Sequence, residues 1–114
     1  MHNQSEPVVV TPIENGFRVA VRAPVHVDVA WLEGELRRVA ESRPKIVELD
    51  LSGTPYVSSA GMGVFLASRR AIAEGGGVLR IVAIQKPVLG SMRYAGLDGV
   101  FKIDPAAVVP AAAK

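Results

Sequence analysis

The spacing of hydrophobic and polar residues changes several times along this chain, and each change predicts a new element. Residues 8–13 and 17–22 are apolar or alternating runs on either side of the turn-forming dipeptide Asn15-Gly16, a pattern typical of a β-hairpin. Asp28 is a suitable N-cap for the next segment, where apolar residues fall three and four positions apart up to residue 40. The beginning of the chain therefore predicts two strands and an amphipathic helix. Gly34 inside this helix suggests a close approach to a neighbour.

The rest of the chain alternates between strand and helix patterns. Residues 45–51 and 78–84 are mostly apolar, as expected of central strands covered on one or both faces. Between them, helical spacing begins near Ser58 and Ser59 and ends at a run of three glycines. Pro87 suits the first turn of a short third helix, and residues 101–103 predict a short final strand.

This order of elements predicts an α/β fold built on a small mixed β-sheet. The sheet should contain about four to five strands, including the N-terminal hairpin, and should pack against about three to four helices. We expect one domain over residues 8–104, with residues 1–7 and 105–114 as short flexible tails. A length of 114 residues is consistent with one domain and leaves little room for a second.

The composition removes most kinds of catalytic and metal site. The chain has no cysteine, which excludes thiolate metal sites, thiol nucleophiles and disulfides. Its two histidines, His2 and His26, are too few for a three-histidine metal site. The 13 basic and 11 acidic residues are nearly balanced, unlike the basic stripe that nucleic-acid binding requires. We therefore expect a binding module, with no enzymatic activity, metal, cofactor or nucleic-acid partner.

Two further patterns bear on where the protein acts. No apolar run approaches the ~20 residues of a membrane-spanning helix. The first seven residues lack the basic region and apolar core of a secretory signal. These observations predict a cytoplasmic protein without direct membrane insertion.

The segment with the most functional information is residues 49–63, where a buried strand leads through a loop to a helix that begins with paired serines. The first N–H groups of a helix lack partners within the helix, and small residues there allow close approach to the backbone. One serine suffices as N-cap, which leaves the second hydroxyl available. An ordinary helix cap and a docking site both fit this pattern. The segment lacks the Gly-x-x-x-x-Gly-Lys pattern of a phosphate-binding loop.

The same segment resembles the signature of STAS domains, the anti-sigma factor antagonists of bacteria. The resemblance rests on Asp50-Leu51-Ser52-Gly53 and on Tyr56-Val57-Ser58-Ser59-Ala60-Gly61-Met62-Gly63-Val64-Phe65-Leu66. It continues through residues 75–81, 94–97 and 101–103, and so covers most of residues 8–104. Aligning the glycines Gly61 and Gly63 places Ser58 at the family's aspartate and Ser59 at its phosphorylated serine.

The resemblance implies a STAS fold and a regulatory role in transcription. Such a protein binds an anti-sigma factor that is also a serine protein kinase, releases a sigma factor, and dissociates when phosphorylated. The implied phosphorylation site is Ser59, with Ser58 as the alternative. The implied partner surface comprises Ser58, Ser59, Ala60, Gly61, Met62 and Gly63. We expect a monomer or a weak dimer.

Two other functions remain open from the sequence. One is a STAS subunit that acts constitutively as a scaffold, in a stressosome-like assembly or in a lipid transporter complex. A pull-down that retrieves a transporter ATPase would favour it. The other is a small enzyme or nucleotide-binding protein, which the missing phosphate-binding loop disfavours.

Overall fold

The computed structural model describes residues 6–111 and shows a five-stranded mixed sheet with four helices. In chain order the elements are β1 (Val8–Ile13), β2 (Gly16–Val21), α1 (Ala30–Glu41), β3 (Ile46–Leu51), α2 (Ser59–Glu74), β4 (Val78–Gln85), α3 (Lys86–Tyr94), α4 (Asp98–Phe101), a 3-10 turn (Pro105–Ala107) and β5 (Val108–Val109). The strands lie side by side in sequence order. β1 is antiparallel to β2, and every later pair is parallel. The predicted α/β class, the mixed sheet and the N-terminal hairpin are confirmed.

The hydrophobic core lies on one face of the sheet. Val19, Leu49 and Ile81 are neighbours in register on β2, β3 and β4, and none is more than 3% exposed. The preceding row contains Arg18 and Glu48, which form an ion pair of 2.9 Å on the opposite face. Because side chains alternate between the two faces of a strand, the buried row marks the face that the helices cover. The predicted central strands are therefore covered on one face and open on the other.

The turn of the hairpin lies one residue earlier than the Asn15-Gly16 dipeptide suggested. Glu14 and Asn15 form the turn, with Asn15 at φ 69°, and Gly16 is already the first residue of β2. A Cβ atom at Gly16 would collide with the carbonyl of Ile46 on β3. The glycine is therefore needed for the approach of β2 to β3, since no larger residue fits there.

The start of α1 differs from the prediction. The N-cap position is Val29, and no side chain caps the helix. The Asp28 carboxylate lies 3.4 Å from the Ala30 N–H, whereas the Asp28 carbonyl accepts a 2.9 Å hydrogen bond from the indole N–H of Trp31. The close approach predicted at Gly34 is also wrong, because no atom of a neighbouring element lies within 4 Å of the place where its Cβ would stand.

The C-terminal part also differs from the prediction. Residues 98–101 form α4 and Lys102 has a left-handed backbone, so residues 101–103 are not a strand. The Phe101 side chain is buried even though residue 101 belongs to α4, so its apolar character does not require a strand. The final strand is β5, which pairs with Ile84 and Gln85 of β4.

The predicted tails are partly built into the fold. At the C-terminal end, residues 105–109 form the 3-10 turn and β5, and Ala107 is 8% exposed. At the N-terminal end, the Pro7 carbonyl accepts a 2.7 Å hydrogen bond from the Arg22 N–H. The remaining parts of both predicted tails, residues 1–5 and 112–114, lie outside the described residues.

Candidate functional site

Ser58 caps α2 and is fully engaged in that role. Its Oγ accepts a 3.0 Å hydrogen bond from the Gly61 N–H and donates a 2.6 Å hydrogen bond to the His26 carbonyl. The residue is 7% exposed, and its backbone is extended, as is typical of N-cap residues. Ser58 therefore joins the start of α2 to the loop between β2 and α1.

Ser59 is the first residue of α2, and it is exposed. It lies where the unpaired N–H groups and the positive end of the helix dipole are concentrated. The two serines thus differ in their surroundings. Ser58 is buried and hydrogen-bonded through its hydroxyl, whereas Ser59 is exposed.

The six residues of the predicted partner surface divide into two groups. Ser59, Ala60 and Gly63 are exposed. Ser58, Gly61 and Met62 are buried. Only the first group can contact a partner directly, and the second group shapes the surface from below.

Gly61 has a packing role inside the domain. A Cβ atom at this position would lie 2.5 Å from Val25 Cγ1 and 3.0 Å from Val57 Cγ1. Val25 is 0% exposed and Val57 is 3% exposed, so neither has free space to move into. The absence of a side chain at Gly61 therefore lets α2 begin directly against these two valines.

Hydrogen bonds between two loops hold the surroundings of Ser59 in place. Val25 and Val57 form an isolated parallel bridge. The Val25 N–H donates to the Tyr56 carbonyl at 2.8 Å, and the Ser58 N–H donates to the Val25 carbonyl at 2.8 Å. These bonds fix the loop after β2 beside the loop before α2.

Two exposed apolar side chains project from these loops. Val27 is 81% exposed and Tyr56 is 49% exposed. The Tyr56 ring lies 5.5 Å from the ring of His26, centroid to centroid. Sequence reasoning did not select Val27 or Tyr56, because an apolar residue in a loop carries no periodic signal that distinguishes an exposed position from a buried one. We call His26, Val27, Tyr56, Ser59, Ala60 and Gly63 the serine surface.

The start of α2 carries little side-chain charge. Its first turn contains no acidic residue, and the first charged residue along the helix is Arg69. The first turn of α2 therefore contributes the positive end of the helix dipole and no side-chain charge of its own near Ser59.

Two properties of residues 6–111 bear on other kinds of site. Within these residues, no three His, Asp or Glu side chains come together in a way that could hold a metal ion. No helix in this part of the chain has the length and apolar character needed to cross a membrane.

Comparisons with known proteins agree with the fold. The sequence matches the STAS domain over residues 25–107. An anti-sigma factor antagonist from Mycobacterium paratuberculosis has a similar structure, with a TM-score of 0.76, 21% sequence identity, and coverage of 86% of this chain and 84% of that chain. The anti-sigma factor antagonist SpoIIAA, solved in its unphosphorylated form, gives a TM-score of 0.68 at 11% identity, with 92% and 88% of the two chains covered. A search of curated proteins gave no match. Since the family match spans most of the sequence, this chain belongs to the STAS domain family.

Proposed function

We propose that this protein is a cytoplasmic anti-sigma factor antagonist, a binding module that captures an anti-sigma factor of the serine-kinase type and thereby releases a sigma factor. The observation that carries this proposal is the contrast between the two serines. Ser58 is buried as the N-cap, whereas Ser59 is exposed at the positive end of a 16-residue helix. The likeness to two solved anti-sigma factor antagonists supports the same role.

The partner docks on the serine surface. Val27 and Tyr56 offer exposed apolar area, while Ala60 and Gly63 are small enough for another chain to approach the helix backbone. The loop carrying Val27 is held to Ser58 by hydrogen bonds, so little ordering is needed on binding. Ser59 lies within this surface.

Phosphorylation of Ser59 reverses the interaction. A phosphate adds about −1.5 to −2 charges at neutral pH, and the helix dipole tolerates negative charge at this end. The domain therefore keeps its fold, because Ser59 makes no buried contact that the phosphate would break. A partner surface docked on the same place would have to desolvate this charge, so the complex dissociates.

Substitution of Ser59 tests the switch by affinity capture from the native host. Immobilised wild-type protein and Ser59→Ala are expected to retain the same kinase-type anti-sigma factor, whereas Ser59→Glu is expected to lose it. Thr11→Glu is a control of equal charge, because Thr11 is an exposed hydroxyl residue on β1. Mass spectrometry of the protein from the host should locate one phosphate on Ser59, and none in Ser59→Ala.

Two results would contradict the proposal. One is a phosphate on a different residue. The other is undiminished capture of the kinase-type protein by Ser59→Glu. Retention of a transporter ATPase or of a large STAS assembly by every variant would instead support the constitutive scaffold.

A further inference from the structure

Buried polar side chains are concentrated around one loop of the domain. Among residues 6–111, the buried polar residues are Thr54, Ser58, Ser68 and Gln85. All of them except Ser68 hold the loop of residues 52–58, which connects β3 to α2. A buried hydrogen bond adds little net stability, but its geometry fixes the groups that it joins. Their concentration here indicates that the conformation of this loop is closely specified.

Thr54 takes the place of a strand partner at the end of β2. The Arg22 N–H donates to the Pro7 carbonyl, so the neighbouring Val21 points its carbonyl away from β1 and toward β3. β3 ends at Leu51, and the Thr54 Oγ1 donates to the Val21 carbonyl at 2.7 Å. Thr54 and Val21 are both 0% exposed, so water has no access to this bond. The middle of the loop is therefore fixed to the end of β2.

The two ends of the loop are held by other segments. Gln85, the last residue of β4, donates from Nε2 to the Ser52 carbonyl at 2.8 Å. At the other end, the Ser58 hydroxyl donates to the His26 carbonyl. The loop is thus bonded at three points, to the ends of β2 and β4 and to the loop that follows β2.

Tyr56 lies within this loop and combines a fixed main chain with an exposed ring. Its carbonyl accepts a 2.8 Å hydrogen bond from the Val25 N–H, and the next residue, Val57, forms a bridge with Val25. Its side chain is 49% exposed and does not belong to the hydrophobic core. Aromatic side chains held rigidly at a surface are typical anchors of protein interfaces, because little conformational freedom is lost on binding.

We propose that Tyr56 is the anchor by which a partner recognises the serine surface, and that Thr54 and Gln85 are positioning residues that present it. Because the partner is the anti-sigma factor of the proposed function, this role of Tyr56 rests on that function. The loop is ordered when the domain folds, so its ordering does not reduce the affinity of the complex. The matching feature of the partner is a pocket that receives an aromatic ring and pairs with its hydroxyl.

Amide hydrogen exchange tests the positioning role without the partner. Thr54→Val keeps the size of the side chain and removes the donor, so the Val25 and Ser58 N–H groups should exchange faster relative to the amides of β3. Thr54→Ser keeps the hydroxyl and should restore the wild-type rates. Ser68→Ala is the matched control, because it removes a buried hydroxyl from α2 outside the loop.

Gln85→Met gives the same test if Thr54→Val does not fold. It removes the donor to the Ser52 carbonyl and should also accelerate exchange of the Val25 and Ser58 amides relative to β3. Loop amides that keep their wild-type rates relative to β3 would overturn the positioning role.

A double-mutant cycle on the unphosphorylated protein tests whether Thr54 acts through Tyr56. The binding partner is the kinase-type anti-sigma factor that the wild-type protein retains. Tyr56→Ala should lower the affinity about tenfold or more, and Thr54→Val should lower it roughly threefold to tenfold. In the Tyr56→Ala background, Thr54→Val should have little further effect. Ser68→Ala should bind like the wild type.

The outcomes separate this inference from the proposed function. Wild-type affinity in Tyr56→Ala would overturn the inference and leave the proposed function intact. So would an effect of Thr54→Val that is equal with and without the Tyr56 ring. A wild-type protein that binds no kinase-type anti-sigma factor would contradict both.

Discussion

Gly61→Ala is expected to lower the free energy of unfolding by about 1–3 kcal/mol, whereas Gly63→Ala is expected to raise it by up to ~1 kcal/mol. Both glycines lie near the start of α2, where alanine is the better helix former. At Gly61 the added methyl group would lie 2.5 Å from Val25 Cγ1, in a fully buried place. At Gly63 the added methyl group would meet no atom within 4 Å apart from the adjacent residues and the backbone of its own helix. The same substitution therefore changes the free energy of unfolding in opposite directions at the two positions.

Urea unfolding of the two variants measures this difference directly. Val25→Ala removes the methyl group that the new side chain would meet, so the double variant should be more stable than the sum of the two single changes predicts. Equal effects of Gly61→Ala and Gly63→Ala would contradict the packing role of Gly61. Additive effects in the double variant would show that Val25 is not the obstacle.

Ser58→Ala is expected to lower the free energy of unfolding by about 2 kcal/mol, and Ser59→Ala to lower it by less than about 0.5 kcal/mol. The first substitution removes the cap from the Gly61 N–H and leaves the His26 carbonyl without its 2.6 Å donor. The second removes an exposed hydroxyl. Denaturant unfolding separates the two cases without any knowledge of the partner.

Ser58→Asp separates the two hydrogen bonds of Ser58. An aspartate can cap the helix, and the resemblance to STAS domains places the family's aspartate at this position. Its carboxylate cannot donate to the His26 carbonyl, so we expect Ser58→Asp to remain less stable than wild type. A variant as stable as wild type would show that the bond to His26 contributes little.

Much of the fold follows from local patterns in the sequence. The strands at residues 45–51 and 78–84 are apolar runs of strand length, and the glycines at 75–77 end a periodic segment. The structure has β3 at Ile46–Leu51, β4 at Val78–Gln85, and α2 ending at Glu74. These elements are predictable because burial on one face imposes a periodicity that a short window of sequence retains.

The C-terminal part shows where this reasoning fails. Residues 101–103 are too short an apolar run to distinguish a strand from a helix end. The actual β5 has two residues in an alanine- and proline-rich segment, and it forms because Val108 and Val109 meet the free edge of β4. The helix end at residues 101–103 and the strand β5 both depend on tertiary contacts and not on the local sequence alone.

At the candidate site, the sequence alone determined that a helix begins at two serines followed by small residues, and that the chain lacks thiol chemistry. Only the tertiary structure decided which serine is exposed, why Gly61 has no side chain, and that Val27 and Tyr56 are exposed in the two loops that meet at Ser58. The reason is that each of these properties depends on contacts between distant segments. Ser58 is held by the His26 carbonyl, 32 residues earlier in the chain, and that contact directs one hydroxyl inward and leaves the next one exposed.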